Sequence, residues 1–274
     1  MRNIVWPPGV KCVVALTVDS DGPCCEIGQK VLPLGARAHG RYSGKGGIQR
    51  YLDLFARENI PATFYVCGHD AEAWPDLVRA IAGAGHEVAA HGYMHENFEL
   101  GEAEPALLEK SHDILTALAG GPPRGWRSPG GRKSALTMRT LQRLGYRYDS
   151  SEKDDDFPYL AEFDGQHLEG FMELPNNTSS LDDFPFYRVS YTPPSEVLAH
   201  WIEEFDAIYR EGGYFNLTLH PRLGYGSGSP ARSAIIRRLI AHIRQYSDAR
   251  FMRMIDIADW CLREPARWAH GRIL

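Results

Sequence analysis

The chain reads as an α/β protein, a distorted (β/α) barrel of about seven or eight parallel strands in a single domain over residues 1–274. Three observations predict this. Short apolar runs alternate with amphipathic helical stretches along the whole length. Acid-rich or histidine-rich clusters stand directly after several of those runs, and strand ends are where a barrel keeps its chemistry. The 274 residues, 43% hydrophobic and 24% charged, match an ordinary globular domain of barrel size. A doubly wound open sheet is the alternative fold.

Residues 13–18 are a β-branched run and give the first strand, and Ile48, Tyr51, Leu52, Leu54 and Phe55 show helical spacing after a Gly-rich loop. Residues 62–66 form the second strand. Leu77, Val78, Ile81 and Ala82 mark a helix that Pro75 opens and Gly83 or Gly85 closes. A short third strand, 87–90, ends at His91. Leu107, Leu108, Ile114, Leu115 and Leu118 give the next helix, stopped at Gly120-Gly121-Pro122-Pro123. A brief strand then ends at Trp126-Arg127, a helix covers about 134–144, and residues 146–148 lead to Asp149 as a fifth strand end.

Residues 150–164 are acidic and aromatic without a period, which reads as a functional loop. Residues 171–174 form a strand, and Val197, Leu198, Trp201, Ile202, Phe205, Ile208 and Tyr209 line one face of a long helix. Strand 214–219, helix 230–245, strand 250–252 and helix 255–262 complete the pattern.

A net charge of -5 gives no basic footprint, so nucleic acid is not an expected partner. No apolar segment of signal-peptide length precedes Lys11 and no later run is long enough for a bilayer, which predicts a cytoplasmic protein without membrane contact. The five cysteines are odd in number and lack zinc-ribbon spacing, as suits reduced thiols. Cys24-Cys25 lies beside the first acidic cluster, either as packed thiols or as pocket lining. Homo-oligomerisation stays open.

The chemistry-bearing clusters are Asp19-Ser20-Asp21-Gly22-Pro23, His91-Gly92-Tyr93-Met94-His95 and His220-Pro221. An Asp with two His is a borderline ligand set suited to zinc, cobalt, nickel or iron, and three protein ligands leave positions open for water and substrate. His91 and His95 can aim at one point if the turn joining them is helical. The bland alternatives are a pair of surface histidines and an ordinary acidic turn. Of the two carboxylates, one can bind a metal while the other takes a proton from water. Arg127, at a strand end, is placed to orient a carboxylate. His220 reads equally as a core histidine or a catalytic acid.

Taken in order, the motifs resemble the polysaccharide deacetylase superfamily of NodB-type carbohydrate esterases. Such enzymes carry an Asp-Asp motif, His-x-x-x-His, Arg-x-Pro, a further Asp and Leu-x-His, which look like Asp19 and Asp21, His91 and His95, Arg127-Ser128-Pro129, Asp149, and Leu217 or Leu219 with His220. The resemblance implies hydrolysis of a non-peptide C–N bond with one divalent metal, zinc first, with cobalt, nickel, manganese or iron as alternatives. It implies Asp21, His91 and His95 as ligands, Asp19 as base held by Arg127, His220 as acid, and Asp149 as the partner orienting His220. A backbone N–H near Gly130 would face the oxyanion, and Tyr93, Gly130, Asp183 and Phe184 would face the substrate, a small-molecule or oligosaccharide amide.

The chain departs from sugar deacetylases at Ser20, Gly92 and Gly130, and these departures look like the branch holding cytoplasmic peptidoglycan-deacetylase-like proteins, cyclic imide hydrolases and allantoinase-like enzymes. Opening of a cyclic imide or ureide is therefore the alternative activity. A non-catalytic binding protein on the same fold is the third reading. The aromatic residues Phe157, Tyr159, Phe184, Phe186 and Tyr187 are expected either to cap a pocket or to join the core.

Overall fold

A computed structural model describes residues 6–97 and 100–269. The elements run in chain order as β1 (Cys12–Ser20), α1 (Cys24–Gly28), α2 (Ile48–Glu58), β2 (Thr63–Val66), α3 (Gly68–Ala73), α4 (Pro75–Gly83), β3 (Glu87–Ala90), α5 (Glu104–Ala119) and β4 (Gly125–Trp126). They continue with α6 (Ala135–Arg143), β5 (Tyr148–Asp149), β6 (Tyr159–Phe163), β7 (Gln166–Glu173), α7 (Pro194–Glu211), β8 (Tyr214–Leu219), α8 (Pro230–Ile243), β9 (Ala249–Phe251) and α9 (Met254–Cys261).

Local chemistry explains most boundaries. Pro75 and Pro230 sit in the first turns of α4 and α8, where the missing N–H costs nothing and φ is preset. Gly120 and Gly212 end α5 and α7 in the left-handed conformation, at φ 79° and 72°. Ser134 caps α6 by accepting from the N–H groups of Leu136 and Thr137.

The strands join in the order β6-β7-β5-β4-β3-β2-β1-β8, with β9 also paired to β1. All pairs are parallel except β6 with β7. The sheet curls into a half-barrel rather than closing. Between the ends, the segment after β7 lies along β8: Asn216 Nδ2 donates to the Pro175 carbonyl at 3.0 Å and Thr218 N to the Leu181 carbonyl at 2.9 Å. Backbone demand at that seam is met by a loop and a side chain instead of a ladder.

The β6–β7 hairpin corrects the reading of residues 150–164 as one irregular loop. Asp164 and Gly165 both take positive φ, 54° and 72°, as a two-residue hairpin turn requires. That Asp-Gly pair, after an apolar-rich run from Tyr159 to Phe163, was the signal in the sequence.

Alternation along β1 sorts the core into two layers. Val14, Leu16 and Val18 face the surrounding helices with Phe64, Phe55 and Phe215, while Val13 and Ala15 face inward with Tyr65, Tyr148 and Tyr214. Thr17 and Asp19 share the parity of Val13 and Ala15, so period 2 itself delivers a polar layer to the upper interior of the half-barrel. Thr218 and Asn216 arrive there by the same rule on β8.

Candidate metal centre and active site

Parallel strands place their C-terminal ends on one rim, and the chemistry-bearing residues gather there. Asp19 is the penultimate residue of β1, Asp21 lies just beyond the strand, His91 directly after β3, Arg127 directly after β4 and His220 directly after β8. Asp21 Oδ1 is 3.5 Å from Nε2 of both His91 and His95. Two ligand atoms at about 2.0–2.1 Å from one tetrahedral ion stand roughly 3.3 Å apart. The spacing therefore fits a single metal.

Two further observations support that fit. Asp21 Oδ1 is buried and has no hydrogen-bond partner, a costly state for a carboxylate oxygen unless a cation completes it. His91 Nδ1 meets the Arg127 carbonyl at 2.7 Å, which fixes Nδ1 as the protonated nitrogen and turns the Nε2 lone pair toward Asp21. Burial pushes the His91 imidazole down, toward the neutral form a ligand needs. Burial alone would raise the Asp21 carboxyl, but His95, His220 and His91 together hold it well below the usual carboxylate range.

The turn that joins the two histidines is not the helical one expected. Gly92 and His95 both adopt positive φ, 71° and 55°. The Glu96 carboxylate closes the turn by accepting from Tyr93 N at 2.9 Å and Met94 N at 2.7 Å. A Cβ on residue 92 would lie 2.5 Å from Glu96 Oε2 and 3.1 Å from Pro129 Cγ, so glycine is required both by conformation and by space. The first cluster is fixed similarly from below, where Asp70 accepts from Gly22 N at 2.7 Å and Cys24 N at 3.2 Å. Neither Glu96 nor Asp70 carries a sequence signal of this role.

Arg127 is 1% exposed and spends its guanidinium on the inner polar layer. Nη1 donates to Asp19 Oδ1 at 2.7 Å, Thr17 Oγ1 at 3.0 Å and Thr218 Oγ1 at 3.2 Å, and Nη2 and Nε donate to Ser150. The ring of Tyr65 lies under it, 4.1 Å from Cζ. Asp19 Oδ2 stands free of the arginine, 3.9 Å from His91 Nε2.

On the opposite side, His220 Nδ1 lies 2.6 Å from Asp183 Oδ1. Asp183 Oδ2 accepts from His220 N at 3.0 Å and Ser227 N at 2.7 Å. Burial pulls the imidazole down, yet the carboxylates of Asp183, Asp182 and Asp21 together outweigh it, Asp183 foremost, and push His220 up to about 10. His220 Nε2 faces inward, 3.9 Å from Asp21 Oδ2.

Several expectations are corrected here. The carboxylate on His220 Nδ1 is Asp183, not Asp149. Asp149 is held by Lys133 and the Ser151 hydroxyl, with Glu173 sharing the same lysine. Asp183 is fully buried with both oxygens committed inward, so it does not face a substrate. Tyr93 turns its hydroxyl to Glu72 and Lys110 on the outer surface of α3 and α5. Gly130 sits in the exposed turn after β4 at φ 63°, with the Asn97 Cβ 3.2 Å from where its own Cβ would be.

Among the aromatic residues, Phe157 and Tyr187 join the buried clusters and Phe186 packs on His200 and Trp201. Phe184 stays at the rim, packed edge-on against Tyr225 at 4.8 Å, and Tyr159 lines a separate cavity beside Lys133 and Glu173, with its hydroxyl on Asp154. Tyr225, which sequence reasoning passed over, packs on His220 at 5.1 Å and donates its hydroxyl to Asp21 Oδ2 at 2.8 Å. Cys24 is buried beside Cys67 and Asp70, under the rim, and Cys25 is half-buried. A cavity of about 580 Å³ adjoins the metal-facing turn, with Gly92, Glu96, Pro129, Gly131 and Lys133 in its wall.

The sequence profile described as polysaccharide deacetylase matches residues 9–148. The chain belongs to the polysaccharide deacetylase family. It is 31% identical over 263 residues to the peptidoglycan deacetylase of Helicobacter pylori, covering 84% of this chain and 88% of that protein. A solved polysaccharide deacetylase-like structure from Mycobacterium smegmatis superposes with a TM-score of 0.84 at 31% identity, covering 100% of this chain and 97% of the other. The structure of Puue allantoinase superposes with a TM-score of 0.83 at 26% identity, over 95% and 93% of the two chains. As a polysaccharide deacetylase family member the chain is a hydrolase of carbon–nitrogen amide bonds other than peptide bonds. Among the described residues no helix is long and apolar enough to cross a membrane.

Proposed function

We propose that this chain hydrolyses a non-peptide amide in a small-molecule or oligosaccharide substrate with one divalent ion, zinc first, held by Asp21, His91 and His95. The observation that carries the reading is the convergence of these three ligand atoms on one point, with Asp21 Oδ1 buried and unpartnered, between two opposed proton-transfer groups. Bound there, the ion would polarise the amide carbonyl and make water a stronger acid and nucleophile.

The protein groups divide the remaining work. Asp19 accepts the proton of the attacking water through Oδ2, because Arg127 occupies Oδ1. His220 delivers a proton to the departing nitrogen from Nε2. Asp183 holds the proton on Nδ1, so the ring is charged before transfer and neutral after it. Tyr225 packs edge-on against His220, and Phe184 packs on Tyr225, which gives that side of the site an aromatic wall.

A second reading, ring opening of a cyclic imide or ureide, uses the same groups and is favoured by the allantoinase structure at a TM-score of 0.83. The test is amine release or ring opening by the zinc-loaded protein across N-acetylglucosamine oligomers, cyclic imides and ureides. Turnover of one class, dependent on added metal, is expected. Metal-loaded protein inert to every class would favour a binding role on this fold.

A further inference from the structure

Tyr225 stands in a glycine-rich loop, Gly224-Tyr225-Gly226-Ser227-Gly228, whose backbone is pressed onto the end of β8. A Cβ on residue 226 would lie 2.2 Å from the His220 carbonyl oxygen and 2.5 Å from that of Arg222. Ser227 N is held by Asp183, and Gly228 N by the His220 carbonyl at 3.2 Å. The loop is therefore locked to the same residues that set the catalytic histidine. It has little freedom to carry Tyr225 elsewhere.

The side chain is fixed from three sides as well. Arg222 lies over the ring at 4.8 Å and is itself tied to Glu26 of α1, while His220 and Phe184 pack on the ring from other directions. What this scaffold delivers is a single hydroxyl, 2.8 Å from Asp21 Oδ2. The other oxygen of Asp21 is the one that faces His91 and His95.

We propose that Tyr225 is a positioning residue for the metal, which holds Asp21 to one-oxygen ligation by occupying Oδ2 and aiming Oδ1 at the two histidines. This rests on the metal reading above. A carboxylate bound through both oxygens would have to break the Tyr225 hydrogen bond, and a carboxylate without that bond would be free to rotate away from His91 and His95. With Asp21 confined to one position, the rest of the coordination sphere stays open for water and the substrate carbonyl.

The test is Tyr225→Phe, which keeps the ring and its three packing contacts and removes only the hydroxyl. Zinc affinity of the purified protein is read by competition against a chromophoric chelator, with melting of the metal-free forms as the control for folding. Loss of a hydrogen bond to a metal ligand typically weakens binding about 10- to 100-fold, and that loss is expected here with a metal-free form that still melts cooperatively, its melting temperature lowered only by the loss of one hydrogen bond to a carboxylate. Tyr209→Phe, which removes a hydroxyl bonded to Asp248 at the far end of the sheet, is expected to leave zinc affinity unchanged. Equal affinity in Tyr225→Phe and wild type overturns the proposal alone. A wild type that binds no zinc overturns the metal reading and this proposal together.

Discussion

Replacing Asp183 by Asn should remove most of the turnover while leaving the metal site intact. Two backbone N–H groups, of His220 and Ser227, point at Oδ2 of Asp183, and His220 Nδ1 points at Oδ1. An asparagine there keeps its one carbonyl oxygen on the two N–H donors, because leaving both unpaired in a buried site would cost more than losing one side-chain contact. Its amide nitrogen then faces His220 Nδ1 as a donor. The ring must answer with a lone pair, so its single proton moves to Nε2 and the imidazolium form is no longer supported.

A neutral imidazole is a poor acid toward a leaving nitrogen, and a positioned proton-transfer group contributes about 100- to 10,000-fold. That corresponds to about 2.7–5.5 kcal/mol of barrier. The folded state exchanges charge-assisted hydrogen bonding for neutral hydrogen bonding, at a cost of about 0.5–2 kcal/mol. Initial rates on whichever amide the wild type hydrolyses, with metal content and melting measured on the same preparations, separate these effects. Asp149→Asn leaves the His220 contact in place and should lower kcat far less. Near-normal turnover in Asp183→Asn, or a greater loss in Asp149→Asn, would refute the assignment.

Arg127→Met strips the counter-charge from buried Asp19, and breaking such a pair costs about 3–5 kcal/mol, to be read as a lower urea midpoint; an unchanged midpoint would show that the pair is dispensable. Gly92→Ala forces a side chain into the left-handed region against Glu96, with about 1–3 kcal/mol of strain, so both melting temperature and bound metal should fall; normal values of both would contradict the turn described. Burial pushes the Glu87 carboxyl from 4.5 up to about 7, so the unfolded chain releases its proton first and wild-type stability falls across that interval, by about 3 kcal/mol at the upper end. Glu87→Gln should therefore gain stability over wild type as pH rises from 5 to 8, and a gain that shrinks with pH would falsify the shift.

The alternation of apolar runs and amphipathic helices made the α/β fold legible, because both periodicities are local properties of the chain. The curl and its seam were not, since β4 and β5 are two-residue strands defined only by what pairs with them. Asp21, His91, His95, Arg127 and His220 could be singled out because each follows an apolar run, and parallel strands bring such positions to one rim. Asp183, expected to face the substrate rather than to hold His220, was misassigned for the opposite reason, and Tyr225 was missed for it. Each is brought to the site by a loop packing on β8, and loop packing leaves no period in the sequence. Asp149 was misread because its strand-end position is right while its partner, Lys133, arrives from the turn before α6.

Turnover before and after metal removal tests the central claim most directly. Protein stripped by a chelator should lose hydrolysis of its amide substrate and recover it on addition of one equivalent of zinc, whereas Asp21→Ala should neither retain the ion nor recover. Full activity of stripped, metal-free protein, or full zinc occupancy in folded Asp21→Ala, would contradict the account.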